Sequence, residues 1–123
     1  MATILIADDD SNTRLLVRTV LEHAGYDVIE APNGVKALES AAAASPDLIL
    51  LDLSLPDISG PELLRALRAN PRMKLTKVAL YTATPMNAAL RDFMEIYGIE
   101  HAIPKPSEPG ELTGTVEEAL SWQ

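Results

Sequence analysis

Ile4-Leu5-Ile6-Ala7-Asp8-Asp9-Asp10 decides how this chain is read: four apolar residues run straight into three carboxylates. The same construction recurs downstream. Leu48-Ile49-Leu50-Leu51 runs into Asp52, Val78-Ala79-Leu80-Tyr81 into Thr82-Ala83, and Ala102-Ile103-Pro104 into Lys105-Pro106. Short apolar runs without polar alternation fit strands of a parallel sheet that is covered on both faces. In such a sheet the carboxyl ends of the strands lie along one edge, where ligands bind. Asp8, Asp9, Asp52, Thr82 and Lys105 are therefore expected to converge, and carboxylates with a hydroxyl and an ammonium suit a divalent metal and a phosphoryl group.

Between these runs the pattern alternates strand and helix. Thr3 to Ala7 reads as the first strand. Ser11-Asn12 can cap a helix whose stripe is Leu16, Val17, Val20, Leu21 and Ala24, with Gly25 as its C′ residue. Asp27 to Ala31 is a second, partly polar strand. Pro32-Asn33-Gly34 is turn chemistry, and Val35, Leu38 and Ala41 to Ala44 continue as a helix that Ser45-Pro46 stops. Asp47 to Asp52 is the most apolar strand and is expected at the centre. Pro56, Asp57 and Gly60 mark a loop, Pro61 stands at N1 of a helix striped by Leu63, Leu64 and Leu67, and Asn70-Pro71 ends it. Val78 to Tyr81 is the fourth strand. Leu90, Phe93, Met94 and Tyr97 recur at i, i+3, i+4 and i+7, with Gly98 as the stop. Ala102 to Pro104 is a short fifth strand, placed at the sheet edge because Pro104 has no N–H to give. Leu112, Val116, Ala119 and Leu120 mark a last helix, weakened near Gly114.

Composition narrows the function. At 123 residues the chain has the size of one domain, expected to span 1–123 either alone or as part of a longer protein. Aromatic residues make up only 4%, so the core must be aliphatic. A net charge of −8 argues against direct nucleic-acid binding and against an anionic membrane surface. The absence of cysteine excludes disulfides, zinc–thiolate sites and thiol catalysis. No signal peptide and no apolar run of membrane-spanning length is present, and a cytoplasmic location is expected.

Taken in order, Asp8-Asp9, Asp52, Leu55-Pro56-Asp57-Ile58-Ser59-Gly60, Thr82-Ala83 and Lys105-Pro106 resemble a response-regulator receiver domain of two-component signalling, of the chemotaxis-regulator type. The resemblance covers nearly the whole chain. It implies an α/β fold, flavodoxin-like and doubly wound, with a five-stranded parallel sheet in the order 2-1-3-4-5 and five helices. It implies that Asp52, a carboxylate able to act as a nucleophile toward phosphorus, accepts a phosphoryl group from a histidine kinase or a histidine phosphotransfer protein. Mg²⁺ would be held by Asp9, Asp52 and the backbone carbonyl of Ser54, with Asp8 acting through a water. Thr82 and Lys105 would contact the phosphoryl group, and the Lys105-Pro106 bond would be cis. The domain would hydrolyse its own acyl phosphate and is otherwise a signalling domain, not an enzyme. Its output surface would lie in Met86 to Gln123, for an output domain or protein, or for a homodimer.

One departure from the family pattern stands out. Where receivers usually carry Tyr or Phe, three residues before the site lysine, this chain has Ala102. His101 and Tyr81 are expected to point away from the threonine. Switching is therefore expected to use the loop Thr82 to Met86. Ser54 and Thr84, at the positions that tune phosphoryl lifetime in the family, are small and polar. Asp10 reads as a solvated charge at a helix N-terminus, His23 as a surface residue and Trp122 as a packing residue. Two other readings are weighed: a Mg²⁺-dependent phosphohydrolase, disfavoured because Ser54 replaces its second carboxylate, and a receiver-shaped binding module without phosphorylation, disfavoured by the intact polar set. A nucleotide-binding Rossmann domain is disfavoured because the first strand leads to aspartates in place of a glycine-rich turn.

Overall fold

The structure, a computed structural model, describes residues 1–121. Trp122, read above as a packing residue, lies outside the described residues. Five strands, β1 (Thr3–Ala7), β2 (Asp27–Ala31), β3 (Leu48–Leu51), β4 (Lys77–Thr82) and β5 (His101–Pro104), alternate with helices α1 (Ser11–His23), α2 (Gly34–Ala44), α3 (Gly60–Ala69), α4 (Ala88–Tyr97) and α5 (Pro109–Ser121). All strands are parallel, in the order β2-β1-β3-β4-β5. The chain has the doubly wound, flavodoxin-like architecture expected from the sequence. β3, the most apolar strand, is central, and β5 with its proline is an edge.

Strand alternation divides the core in two. Leu5, Ile49, Leu51 and Leu80 face α2, α3 and α4, where they meet Ala37, Ala41, Leu63, Leu64, Leu67 and Leu90. Ile4, Ile6, Leu48, Leu50 and Tyr81 face α1 and α5, where they meet Val17, Leu21, Leu112 and Val116. Each fully buried Leu or Ile contributes roughly 1.5–3 kcal/mol, so the sheet is fixed by aliphatic burial with few aromatic anchors.

Several local expectations are revised. Asp10, not Ser11 or Asn12, caps α1: its side chain accepts from the Asn12 N–H at 2.9 Å and from the Thr13 hydroxyl at 3.1 Å. The backbone N–H of Asn12 first, and the Thr13 hydroxyl next, hold its carboxyl below the usual range. The buried stripe of α1 is narrower than expected. Val17 and Leu21 are buried, whereas Leu16 is 49% exposed and Ala24 is exposed as well. Ser59 caps α3 and Gly60 opens it, which places Pro61 one position later than N1. Gly25 follows α1 with φ +99° and Gly98 ends α4 with φ +69°, conformations that only glycine adopts at low cost. Among the described residues, no helix is long and apolar enough to cross a membrane.

Candidate functional site

The ladder itself delivers the site. The Asp8 N–H donates to the Ala31 carbonyl at 3.1 Å and the Asp52 N–H to the Ala7 carbonyl at 3.0 Å, so both aspartates continue the strand pairing one step beyond the strands. Both side chains are buried, Asp8 fully and Asp52 to 5% exposure, and Asp9 beside them is exposed. Carboxylate oxygens of Asp8, Asp9 and Asp52 lie within 4.8 Å of one another. These are hard oxygen donors, two in a fixed wall and one open to solvent. That donor set fits a small divalent cation that keeps some of its waters, such as Mg²⁺.

The two buried carboxylates are held in the same way. One oxygen of Asp8 accepts from the Asp10 N–H at 2.9 Å, and one oxygen of Asp52 accepts from the Ser54 N–H at 3.0 Å. Each is an Asx-type turn closed two residues on. The second oxygen of each faces Lys105, whose ammonium donates to Asp8 Oδ2 and, at 3.0 Å, to Asp52 Oδ2. Burial pulls the lysine pKa down, but the hydrogen bonds and charges of Asp8 and Asp52 outweigh it and raise it above the ordinary lysine value. The ammonium also stands 5.2 Å from the centre of the Tyr81 ring. Lys105 is positioned from its backbone, since its N–H donates to the Thr82 carbonyl at 3.0 Å, and the Lys105-Pro106 bond is cis, as expected.

Thr82 is buried at the neighbouring strand end, but its hydroxyl is satisfied in its own loop. It donates to Thr84 Oγ1 at 3.0 Å and accepts from the Thr84 N–H at 3.1 Å. Beside it is a cavity of about 110 Å³ between β4, β5 and α4, lined mainly by Thr82, Met86, Leu90, Ala102 and Pro104. Ala102 packs toward the α2–α4 core, whereas His101, on the other face, approaches Glu118 of α5 at 3.5 Å and Tyr81 joins the α1–α5 core. Both point away from Thr82, as the alternation predicts.

The structure thus brings together Asp8, Asp9, Asp52 and Lys105, with Ser54 on the turn that begins at Asp52 and Thr82 one strand away. Two supporting features escaped the sequence reading. Arg14 of α1 donates to the Asp8 carbonyl at 2.7 Å and to Glu30 at 3.1 Å, and Glu30 also accepts from Arg18 at 2.8 Å. Asp57, read as a turn residue within the Leu55 to Gly60 motif, accepts from the N–H groups of Gly34 and Val35 at 2.8 and 2.9 Å. The partners in each case are 6 to 23 positions away, so only an acidic residue in an otherwise apolar or turn segment could have signalled them.

A sequence model described as the response regulator receiver domain matches residues 4–117. The protein named Response regulator ArlR of Staphylococcus saprophyticus is 35% identical over 123 residues, all of this chain and 54% of that protein. Sporulation initiation phosphotransferase F of Bacillus subtilis is 31% identical over 121 residues, 95% of this chain and 92% of that protein. The crystal structure of Vibrio cholerae chemotaxis protein CheY4 superposes with a TM-score of 0.91 at 30% identity, covering 98% of this chain and 99% of that one. The chain spans about half the length of several curated relatives, ArlR among them, and nearly all of others.

Proposed function

We infer the roles of these residues from one premise: the chain belongs to the response regulator receiver family, through its match over residues 4–117 and its relatives. It is a receiver domain of two-component signalling, a phosphorylation-dependent signalling domain. The proposal extends this to the whole of residues 1–123 as one receiver domain and assigns the residues. Asp52 is the acceptor. One of its carboxylate oxygens attacks the phosphorus of a phosphohistidine on a histidine kinase or phosphotransfer protein. The P–N bond breaks, the imidazole nitrogen leaves with the electron pair, and an acyl phosphate forms on Asp52. Asp9, Asp52 and the Ser54 carbonyl, with Asp8 through a water, would hold a Mg²⁺ ion, which when bound would supply charge neutralisation for the phosphoryl oxygens. Lys105, already cationic between Asp8 and Asp52, pairs with a phosphoryl oxygen.

The carrying observation is that shared lysine. A single ammonium bridges two buried carboxylates at the mouth of the acidic cluster, so that it can exchange a carboxylate oxygen for a phosphoryl oxygen without leaving the site. Thr82 releases Thr84 to bond the phosphoryl group, and the loop from Thr82 to Met86 moves with it, with no aromatic side chain at position 102 to follow. The moving surface is then the region from Met86 to Gln123, of which 86–121 is described, offered to an output domain or protein or to a second copy. Exposed small residues at Ser54 and Thr84 leave water a path to the phosphorus, and the domain hydrolyses its own acyl phosphate. A cytoplasmic setting with the kinase, and no direct nucleic-acid contact at net charge −8, complete the reading.

Intact mass after incubation with Mg²⁺ and acetyl phosphate tests it. One added phosphoryl group on the wild type and none on Asp52→Asn supports the assignment. A phosphoryl group still gained by Asp52→Asn, or none gained by a wild type that binds no Mg²⁺, rejects it.

A further inference from the structure

We propose that Asp57 is a positioning residue for the metal and phosphoryl site, acting by clamping the loop that carries Ser54 onto the N-terminus of α2. The inference rests on the assignment of Asp9, Asp52 and Ser54 as the metal-holding set.

The first turn of any helix leaves backbone N–H groups without partners inside the helix. In α2 they are shared out between two chain segments. The Asn33 side chain, as N-cap, accepts from the Lys36 N–H at 2.8 Å, and the Ala37 N–H returns to the Asn33 carbonyl at 3.0 Å. The remaining two, on Gly34 and Val35, are taken by the two oxygens of one carboxylate from elsewhere in the chain, Asp57. The contact is as close as a backbone allows. A Cβ at position 34 would stand 1.8 Å from Ile58 Cγ2 and 3.2 Å from Asp57 Oδ1. Gly34 is therefore the residue that lets the loop reach the helix end. The N–H of Gly34 first, and that of Val35 next, hold the Asp57 carboxyl below the usual range, so the clamp is closed at neutral pH.

What the clamp holds follows from the loop's own attachments. The loop leaves β3 at Asp52 and enters α3 at Gly60. Ser54 is tied at its N–H to Asp52 at 3.0 Å, Leu55 is buried in the α2–α4 core, and Leu53 lies over Gly60, 2.8 Å from where a Cβ would be. Ser54 is exposed between these fixed points. Its carbonyl has no side-chain freedom to adjust; its direction is set by the backbone on either side. With Asp57 released, the distal half of the loop loses its charged anchor to α2. Ser54 is left held by its N–H bond to Asp52 and the burial of Leu55, and more of its ordering falls to ligand binding. Residues that hold metal ligands in place typically supply 10–100-fold in affinity.

The test is calorimetric titration of the full chain with MgCl₂, together with a urea unfolding curve for each variant. Asp57→Ala is expected to bind Mg²⁺ about tenfold more weakly, and Asp57→Asn, which keeps one accepting oxygen, to fall between it and the wild type. Acetyl phosphate labelling should recover in Asp57→Ala at saturating Mg²⁺. The control is Asp47→Ala, which removes the hydrogen bond from the Thr3 N–H to Asp47 at 2.8 Å at the opposite sheet edge. It is expected to lose stability with Mg²⁺ affinity unchanged. Wild-type affinity in both Asp57 variants, with or without a lower urea midpoint, overturns the positioning role and leaves a stability role. A parallel loss of Mg²⁺ affinity in Asp47→Ala overturns it too. A wild type that binds no Mg²⁺ overturns the metal assignment itself, and this inference with it.

Discussion

The two halves of the sheet's functional edge are built differently. On the β1–β3 side both buried carboxylates are tied twice, while Asp9 beside them is exposed. Asp8 and Asp52 each have one oxygen on a backbone N–H and one on Lys105, Arg14 holds the Asp8 carbonyl, and Asp57 pins the loop after β3. On the β4–β5 side the Thr82 hydroxyl bonds within its own loop, to Thr84, Met86 is 48% exposed, and a cavity of about 110 Å³ lies between Thr82 and Ala102. One side is suited to hold a reacting group within a narrow geometry, which is what phosphoryl transfer requires. The other is suited to change shape, because an unfilled space gives side chains somewhere to go. The difference teaches that the placement of chemistry and the transmission of its outcome can be given to neighbouring strands of one sheet.

The largest expected effect comes from breaking the tied side. Lys105→Met leaves two buried carboxylates without their shared cation. In Mg²⁺-free buffer it should lower unfolding stability by about 2–3 kcal/mol, below the full cost of breaking a buried pair because the lysine keeps 19% exposure. Urea unfolding of both proteins measures this. The pH dependence has a definite sign. The folded pKa of Lys105 is raised, so its contribution is complete below the unfolded lysine value and is lost as pH rises through the folded one. The gap between wild type and Lys105→Met should therefore stay constant from neutral pH upward and close in the alkaline range. A gap that closes near pH 7 would contradict the ion-pair geometry.

Filling the loose side is the next test. Ala102→Leu should enter the cavity and raise stability by about 1 kcal/mol, within the range for burying an aliphatic side chain, read as a higher thermal midpoint. A lower midpoint would mean that the flank is already packed and the contrast between the sides is overstated. The same variant should blunt the response of the loop to phosphorylation. Amide exchange at Thr84, whose N–H bonds Thr82 Oγ1, should accelerate when the wild type is labelled with acetyl phosphate. In Thr82→Ala that acceleration should be absent while labelling persists. Equal exchange before and after labelling in the wild type would assign the moving part to another segment.

The smallest effect concerns the support behind Asp8. Arg18, and then Arg14, hold the Glu30 carboxyl below its usual range against the opposing pull of burial. That stabilisation is present above the unfolded carboxylate pKa and disappears as pH falls through the lowered folded value. Glu30→Gln should cost at most about 1 kcal/mol at neutral pH, as exposed ion pairs do, and progressively less as pH falls through the lowered folded value. Chemical denaturation across that acid range reads the difference.

The contrast also explains what was legible in the sequence. β1, β3 and β4 were readable because both their faces are buried, so each is a continuous apolar run, and the chemistry stands at the next residue. Pro104 announced an edge strand. The exposure of Leu16 and Ala24 was not readable, because helical periodicity admits either a wide or a narrow stripe and only packing against β1 and α5 chooses Val17 and Leu21. Asp10 displaced Ser11 and Asn12 as cap because three adjacent residues all qualify chemically and the end of β1 sets which one has extended backbone. Asp57 was hidden for a different reason. A carboxylate in a Pro-Asp loop is ordinary turn chemistry, and its partners lie 22 and 23 residues away. The direction of the Thr82 hydroxyl depends on Thr84 and could not be told from spacing.

Lys105 and Asp8 meet across 97 residues of chain. The first strand and the last connecting loop must both be in place before the site exists, and every strand between them must be docked to bring them together. During synthesis, a chain that has not yet released its fifth strand carries Asp52, the proposed acceptor, but not the ammonium that completes its surroundings. On that assignment, competence to take a phosphoryl group arrives late and all at once, and half-made or locally unravelled copies would stay silent.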